Sequence, residues 1–503
     1  MVEDCEVVEL ATAPCVASAE TGSHAALKAY GFAALAMALF YAFLHLVHTA
    51  PSFPLDDPYI TLHSAQVLHW GSDPNYIGVS PLYGATSAPF LALVYLLLFV
   101  LKPLYAIDTA CWIGALFYAF GLVKLARTLR LSRGEGIRLV GLGLGASYVP
   151  VHIVNGLETS WALGAIAWSL AFASGTRKDW KWAALAAGIA AAIRPELGIF
   201  AVLLIGALAL MDRSAKTIAT LLTLAALPLI PGMLSYFCAL GSPFPQTAAA
   251  KRYFMAQDHL SWLAKVTIEA KGLSLFAVSC ALLLFALAKV WRSPIGTALI
   301  AFTFVLLGGA FLTAPSSIAW NFFRYLVILV PMMVWAAGFR VSMSEGRGRL
   351  QAVRFLHACS VYAALFLPIS MAIYQHECAY FDGELHSVAD WCQANLPSDA
   401  VLLVHDAGYI AYATHFHTVD LVGLKTPEAM DINRRVTWPS GGTNRALALA
   451  DVAIESHATY LIVRRGWSEV AALPGQLRAL HWQVDPLRLN GEYRVFRVVA
   501  PVN

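Results

Sequence analysis

Charge is what this chain has least of. Asp, Glu, Lys and Arg together supply 13% of its 503 residues, about half the usual share of a soluble protein. That scarcity, beside 59% hydrophobic residues and a mean hydropathy of +0.64, excludes a soluble enzyme, a disordered scaffold or a repeat solenoid as a whole-chain reading. The net charge of +3 gathers into no basic stripe, which argues against a nucleic-acid partner. No internal repeat is visible, which counts against a secondary transporter built from related halves. The sequence has no Gly-rich phosphate loop, no Ser elbow, no HExxH helix and no zinc spacing among its eight Cys. Cys111, Cys238, Cys280 and Cys359 lie in apolar runs and read as small buried hydrophobes. Cys378 and Cys392 share a polar region in which a disulfide is open. Residues 1–24 carry five acids and no Lys or Arg, unlike a signal peptide, and read as a short disordered cytoplasmic tail.

What the chain has instead is apolar length. Charge-free stretches recur from residues 29–55 to residues 355–376, many of them near the 20 or so residues that span a bilayer. Five basic clusters separate them, around Lys124–Arg138, Arg177–Lys181, Arg213–Lys216, Lys289–Arg292 and Arg340–Arg354. Placing all five on the cytoplasmic side requires residues 88–101, about 14 in number and ending at Lys102-Pro103, to be re-entrant or interfacial. The expectation is a polytopic α-helical membrane domain over 25–376, with about 11 crossings plus that helix. Two loops, 51–87 and 241–271, then face outward. After His376 the composition shifts to 14 acids and 10 bases in 127 residues. Period-2 or short apolar runs at 400–404, 416–421, 459–463 and 493–499 alternate with helical patterns at 384–396 and 443–457. Residues 377–503 therefore read as a soluble α/β domain on the outer face.

The first outward loop opens with Asp56-Asp57-Pro58-Tyr59-Ile60-Thr61. A helix start explains one Asp as a cap before Pro; two adjacent carboxylates are harder to explain that way. Tyr59 and His63 follow at i, i+4 spacing, on one helical face. Glu158 stands at the outer end of a crossing. Arg194-Pro195-Glu196 follows an apolar run of only 12 residues, about 18 Å of helix, so these charges sit at membrane depth, where they pair with each other or face a ligand. Lys251, Arg252 and Arg324 go against the positive-inside bias and suit an anionic lipid phosphate, although snorkelling to headgroups explains Lys251 or Arg252 alone. His405-Asp406-Ala407-Gly408 follows a strand, where α/β folds often bind ligands. His415 and His417 match no zinc spacing and read as loop histidines.

Taken in order, these pieces resemble the GT-C superfamily of polyprenyl-phosphate-sugar glycosyltransferases, and most closely the branch with the mycobacterial terminal arabinofuranosyltransferase. The matching segments are Asp56-Asp57-Pro-Tyr59-Ile-Thr, Thr86-Ser87, Gly156-Leu157-Glu158-Thr159, Arg194-Pro195-Glu196, Gly241-Ser-Pro-Phe-Pro-Gln-Thr with Lys251, Phe323-Arg324-Tyr325-Leu326, and His405-Asp406-Ala-Gly-Tyr with Val419-Asp420-Leu-Val-Gly423-Leu. Each is weak singly, but together they run collinearly over nearly the whole chain. The departures, at His63, at Tyr83-Gly84-Ala85 and at Gln246, surround the sugar-facing loop and leave the sugar and acceptor undetermined.

The resemblance implies transfer of a sugar from a polyprenyl-phosphate donor to the hydroxyl of a glycan, lipid or protein, on the outer face of a bacterial plasma membrane and with inversion. It gives Asp56 the role of general base and makes Asp57 its helper in acceptor or metal binding. Lys251, Arg194 and Arg324 would stabilise the departing phosphate. Glu158 and Glu196 would orient those cations or hold sugar hydroxyls, and Tyr59 and His63 would join the substrate-binding set. A divalent metal is left open, and no residue is assigned as its ligand. The competing reading is a transporter or flippase of a lipid-linked sugar, which also needs acidic and basic groups in a membrane cavity.

Overall fold

The computed structural model describes residues 19–47 and 51–501, with side chains of the first helix from 28 to 42. The expected tail over 1–24 thus lies, up to residue 18, outside the described residues. Most of the chain before residue 396 is helical. Among the described residues, four helices, Pro103–Thr128, Trp262–Leu287, Pro294–Thr313 and Gly346–Asn395, are long and apolar enough to cross a membrane. The count reaches six if each of two bent pairs is one span, Ala215–Ala226 with Leu229–Leu240 (48°) and Pro315–Val327 with Val330–Met343 (42°). Thr159–Ala173 and Leu197–Asp212 are apolar but shorter. The architecture is that of a polytopic helical membrane protein.

Helix α1 (Ala19–Val47) leads into α2 (Asp57–Trp70), which starts on Pro58 and stops at Gly71, whose φ of 81° a residue with Cβ rarely adopts. Helix α3 (Ala88–Leu97) is capped by the Ser87 side chain, which accepts the Phe90 N–H at 3.4 Å. This is the segment expected to be re-entrant, and it is only 10 residues long. Helix α4 (Pro103–Thr128) packs along Thr159–Ala173. The contact is close because a Cβ on Gly114 would strike Ser160 and Trp161, and one on Gly164 would strike Phe117. Trp161 and Trp168 seal the seam by donating to the carbonyls of Ala110 (2.8 Å) and Phe117 (3.0 Å).

The helix Gly346–Asn395 runs unbroken through the composition shift at residue 376 and carries Phe381, Leu385, Val388 and Cys392 beneath a sheet. Cys378 and Cys392 are both free and buried. Fourteen residues apart on one helix, they stand about 21 Å apart, far beyond the reach of a disulfide. The sheet comprises β1 (Val401–Val404), β2 (His417–Asp420), β3 (Tyr460–Arg464), β4 (Gln483–Arg488) and β5 (Tyr493–Val499), in the order β2-β1-β3-β5-β4. The β1–β2 and β1–β3 pairs are parallel; β3–β5 and β4–β5 are antiparallel. Strand β4 was not expected from the sequence, because Asp485, Pro486 and Arg488 break its alternation.

Both faces of the sheet are covered. Leu402, Val404, Ile462 and Val495 pack with Tyr59 and Leu62 of α2 and with the long helix. Leu403, Leu461, Val463 and Phe496 pack under Leu449, Leu473 and Leu477. One face of the α/β unit is therefore built onto the loop that carries the paired aspartates.

Candidate active site

Asp56 and Asp57 are adjacent in sequence but turn to different partners. Asp56 caps the entry to α2 and is buried. Its Oδ2 accepts the main-chain N–H of Gly408 and its Oδ1 that of Tyr409, both at 2.7 Å. Gly408 allows this approach because it lacks a side chain: a Cβ there would lie 2.4 Å from the Asp56 carbonyl oxygen. Burial pushes the Asp56 carboxyl well above the usual carboxylate range, and the nearby Asp406 and Asp57 add to it. The Gly408 hydrogen bond offsets only part of that rise.

Asp57 faces the cations. Its Oδ2 accepts from Asn321 Nδ2 at 2.9 Å, lies 3.3 Å from Arg324 Nη1 and is 3.6 Å from Lys251 Nζ. The other arm of Arg324 pairs with buried Glu158. A tight turn sets this geometry, in which Asn321, Phe322 and Phe323 all have left-handed φ of 49° to 59°, a costly conformation for residues with side chains. His152 holds the turn by pairing with the Phe322 carbonyl at 2.9 Å, and Asn155 holds His152 at 3.0 Å.

Two cavities meet at this carboxylate. The smaller, about 30 Å³, is lined by Asp57, Thr61, Thr86, Ser87, Glu158, Thr247, Lys251 and Arg324. The larger, about 420 Å³, lies between the helical domain and the sheet; Asp56, Asp57, Lys251 and Trp320 line it on one side, and His405, Asp406, Arg464 and Trp467 on the other. Asp57 and Lys251 border both. On the sheet side, His405 Nε2 lies 3.2 Å from Asp406, and Tyr493 donates its hydroxyl to the same carboxylate. Burial pushes the Asp406 carboxyl up, but His405, Tyr493 and Arg464 outweigh it and bring it down to about 2.

Of the residues expected at the site, Asp56, Asp57, Glu158, Lys251 and Arg324 line these cavities, and four others do not. Arg194 is buried in an ion pair with Glu196, and its Nη1 reaches the Arg324 carbonyl at 3.5 Å. The pair sits at the break between the helices Trp180–Ile193 and Leu197–Asp212, which is the mutual-pairing alternative of the sequence reading. Tyr59 is enclosed by Phe53, Tyr409 and Tyr412. His63 bonds Asn75, whose amide in turn donates to the carbonyls of Thr414 and Phe416. Burial, aided by Lys425, pushes the His63 imidazole down to about 4, so it is neutral. The reason is rotational: positions 57, 60 and 61 of α2 face the small cavity, which turns 59 and 63 toward the sheet domain. Asn321 and Thr247 were missed. Asn321 carried a signal as an amide three residues before Arg324 in an aromatic run, and Thr247 as the last residue of the matching segment 241–247, to which no role was given.

The two carboxylates of the small cavity are already taken up by Asn321, Lys251 and Arg324. Among the described residues no group of three or more His, Cys, Asp and Glu could chelate a metal ion. Two acids and two bases line the small cavity, and they pair with one another.

The chain is similar to ArnT from Cupriavidus metallidurans, solved bound to undecaprenyl phosphate, at 12% identity over 96% of this chain and 99% of that one, with a TM-score of 0.54. It is similar to the archaeal oligosaccharyltransferase AglB from Archaeoglobus fulgidus, solved with an inhibitory peptide and a dolichol-phosphate, at 11% identity over 94% and 74%, with a TM-score of 0.53. The likeness shows that this chain shares its fold with these two membrane proteins. The arabinofuranosyltransferase AftD from Mycobacteria aligns over 93% of this chain but 40% of its own, at 14% identity and a TM-score of 0.45, which carries no argument about the branch. A family described as a domain of unknown function (DUF8728) matches residues 372–496. No curated protein matches.

Proposed function

We propose that this chain is a membrane glycosyltransferase that moves a sugar from a polyprenyl-phosphate donor to an acceptor hydroxyl on the outer face of the membrane. The observation that carries the reading is the junction at Asp57. A niche in which Lys251 and Arg324 are held by Asp57 and Glu158 opens beside a larger cavity that the buried Asp56 lines. A departing phosphate gains negative charge, and pre-placed cations stabilise it as it leaves. An attacking alcohol must lose a proton, and a carboxylate of raised basicity in the same cavity can take it.

In this mechanism the donor phosphate occupies the niche of Lys251 and Arg324, near the hydroxyls of Thr86 and Thr247. Those two hydroxyls lie 3.2 Å from each other. Asp57 and Glu158 hold the cations in place. The acceptor enters from the larger cavity, and Asp56 accepts its proton as the oxygen attacks the anomeric carbon. Base and leaving group on opposite sides of the sugar favour inversion. Arg194 supports Arg324 through its carbonyl and does not touch the phosphate. The arabinofuranosyltransferase-like branch, about 11 crossings and a bacterial plasma membrane with the site facing outward complete the proposal, as does an extracytoplasmic domain over 377–503.

The test is transfer by the purified full chain from radiolabelled polyprenyl-phosphate pentoses and hexoses to cell-envelope extract. Asp56→Asn should abolish transfer while leaving binding of undecaprenyl phosphate intact. Full turnover by Asp56→Asn would remove the base assignment. Sugar-independent movement of the lipid across proteoliposomes, without transfer, would favour a flippase.

A further inference from the structure

A third cavity, of about 270 Å³, lies in the sheet domain apart from the site above. Its floor is the antiparallel part of the sheet, where Val463 pairs with Arg494 and Pro486 with Phe496. Paired residues share a face, as do i and i+2 on one strand, so these four side chains point the same way. Farther along that face of β5, Phe496 and Val498 enter the apolar core. Arg494 thus stands where the alternation of the strand calls for a hydrophobic residue.

Arg465 and Arg478 line the same cavity, and among the described residues no carboxylate does. Arg478 donates to the Val484 carbonyl at 2.8 Å. Arg494 Nε is sealed from solvent and has no hydrogen-bond partner. The neighbouring Glu492 is engaged by Arg464 and by the Gly466 N–H. Adjacent residues of the strand end serve different cavities: Arg464 lines the large one over Asp56, and Arg465 lines this one. Three like charges around one space repel each other, and a buried N–H without a partner is costly. Arg465 and Arg478 are exposed and Arg494 half-buried; an oxyanion between them relieves the repulsion, and the guanidinium fork is matched to phosphate geometry.

We propose that the Arg465–Arg478–Arg494 cavity is a binding site for a phosphate-type oxyanion, supplied by a phospholipid headgroup or by a soluble or glycan-borne phosphate. The site is independent of the transferase reading. Full-length protein in a nonionic detergent is titrated calorimetrically with inorganic phosphate as wild type, Lys251→Ala, Arg494→Leu and Arg465→Ala. The Lys251 variant removes the contribution of the niche at Asp57. Arg494→Leu keeps an apolar body on the core face, and Arg465 is exposed, so its truncation does not threaten folding. The expected result is a binding event that persists in Lys251→Ala and weakens by about tenfold or more in the two arginine variants. Competition by phosphatidylglycerol, but not by phosphatidylcholine, in mixed micelles identifies a lipid source; phosphate binding without that competition identifies a soluble or glycan phosphate. Unchanged binding in both arginine variants, or none by wild type with either probe, overturns the proposal.

Discussion

Asp56 accepts the main-chain N–H of Gly408 at 2.7 Å across 352 positions of sequence, so the sheet domain forms one wall of the candidate site. The pocket is therefore shared between the helical domain and the sheet, and its geometry depends on a residue remote from the aspartates. In Gly408→Ala the new methyl would sit 2.4 Å from the Asp56 carbonyl oxygen and 2.8 Å from the Ile60 nitrogen, and the main chain has to shift. A displacement near 1 Å costs on the order of 100-fold in rate. Initial rates on a fixed donor should fall by about that factor, with donor KM little changed. An unaltered rate would show that this contact does not position Asp56.

A base works only when ionised. Because burial, then Asp406 and Asp57, hold the Asp56 carboxyl above its ordinary range, activity is lost as pH falls through that raised value, earlier than an exposed carboxylate would dictate. Asp406→Asn removes one negative neighbour and should move the acid limb to lower pH. A limb that stays in place when kcat/KM is profiled against pH would separate Asp56 from the titration that controls the rate.

Arg324 touches Asp57 with one arm and Glu158 with the other. Lysine offers a single ammonium and cannot span both carboxylates. Arg324→Lys leaves one buried acid without its partner and the niche with a misplaced charge. Transfer should fall by about 100-fold or more, and calorimetry should show weaker binding of undecaprenyl phosphate. Retention of both would mean that the phosphate lies elsewhere.

The membrane character, four of the five strands and the charged residues of the niche were legible because their signals are local: apolar length, period-2 runs and charges where charge is costly. What was not legible was rotational or long-range. The i, i+4 spacing puts Tyr59 and His63 on one face but does not say which neighbour covers it, and the sheet domain covers it. Asp56 and Asp57 look equivalent in sequence and are separated only by the turn at Gly408 and by Asn321. Strand β4 was hidden because its side chains are largely exposed and carry no apolar period. Arg194-Pro195-Glu196 was readable as a pair of charges at a helix break, but whether the charges face each other or a ligand depends on packing against Tyr325 and the Arg324 carbonyl.

The contact between α2 and the sheet domain also contains a fully buried lysine. Lys425 donates to Ser64 Oγ at 3.1 Å and lies over the Tyr76 ring, while the nearby Asp420 is occupied by the N–H groups of Val422, Leu424 and Lys425 itself. Burial pulls the Lys425 ammonium down to about 8, although Asp73 and Asp420 oppose the shift. Its unfolded value is near 10.4, so between about 8 and 10 the unfolded chain binds more protons than the folded one and stability rises with pH. Below about 8 the lysine is charged in both states, and the desolvation cost is carried in full. The thermal midpoint of the full chain should therefore climb by a few °C from pH 8 to 10, an order of magnitude expected for a change near 1 kcal/mol. Lys425→Met has no such proton to lose and should show a flatter profile over the same interval. Parallel curves for the two proteins would mean that Lys425 keeps its proton in the fold, held by Asp73 and Asp420 more strongly than burial expels it.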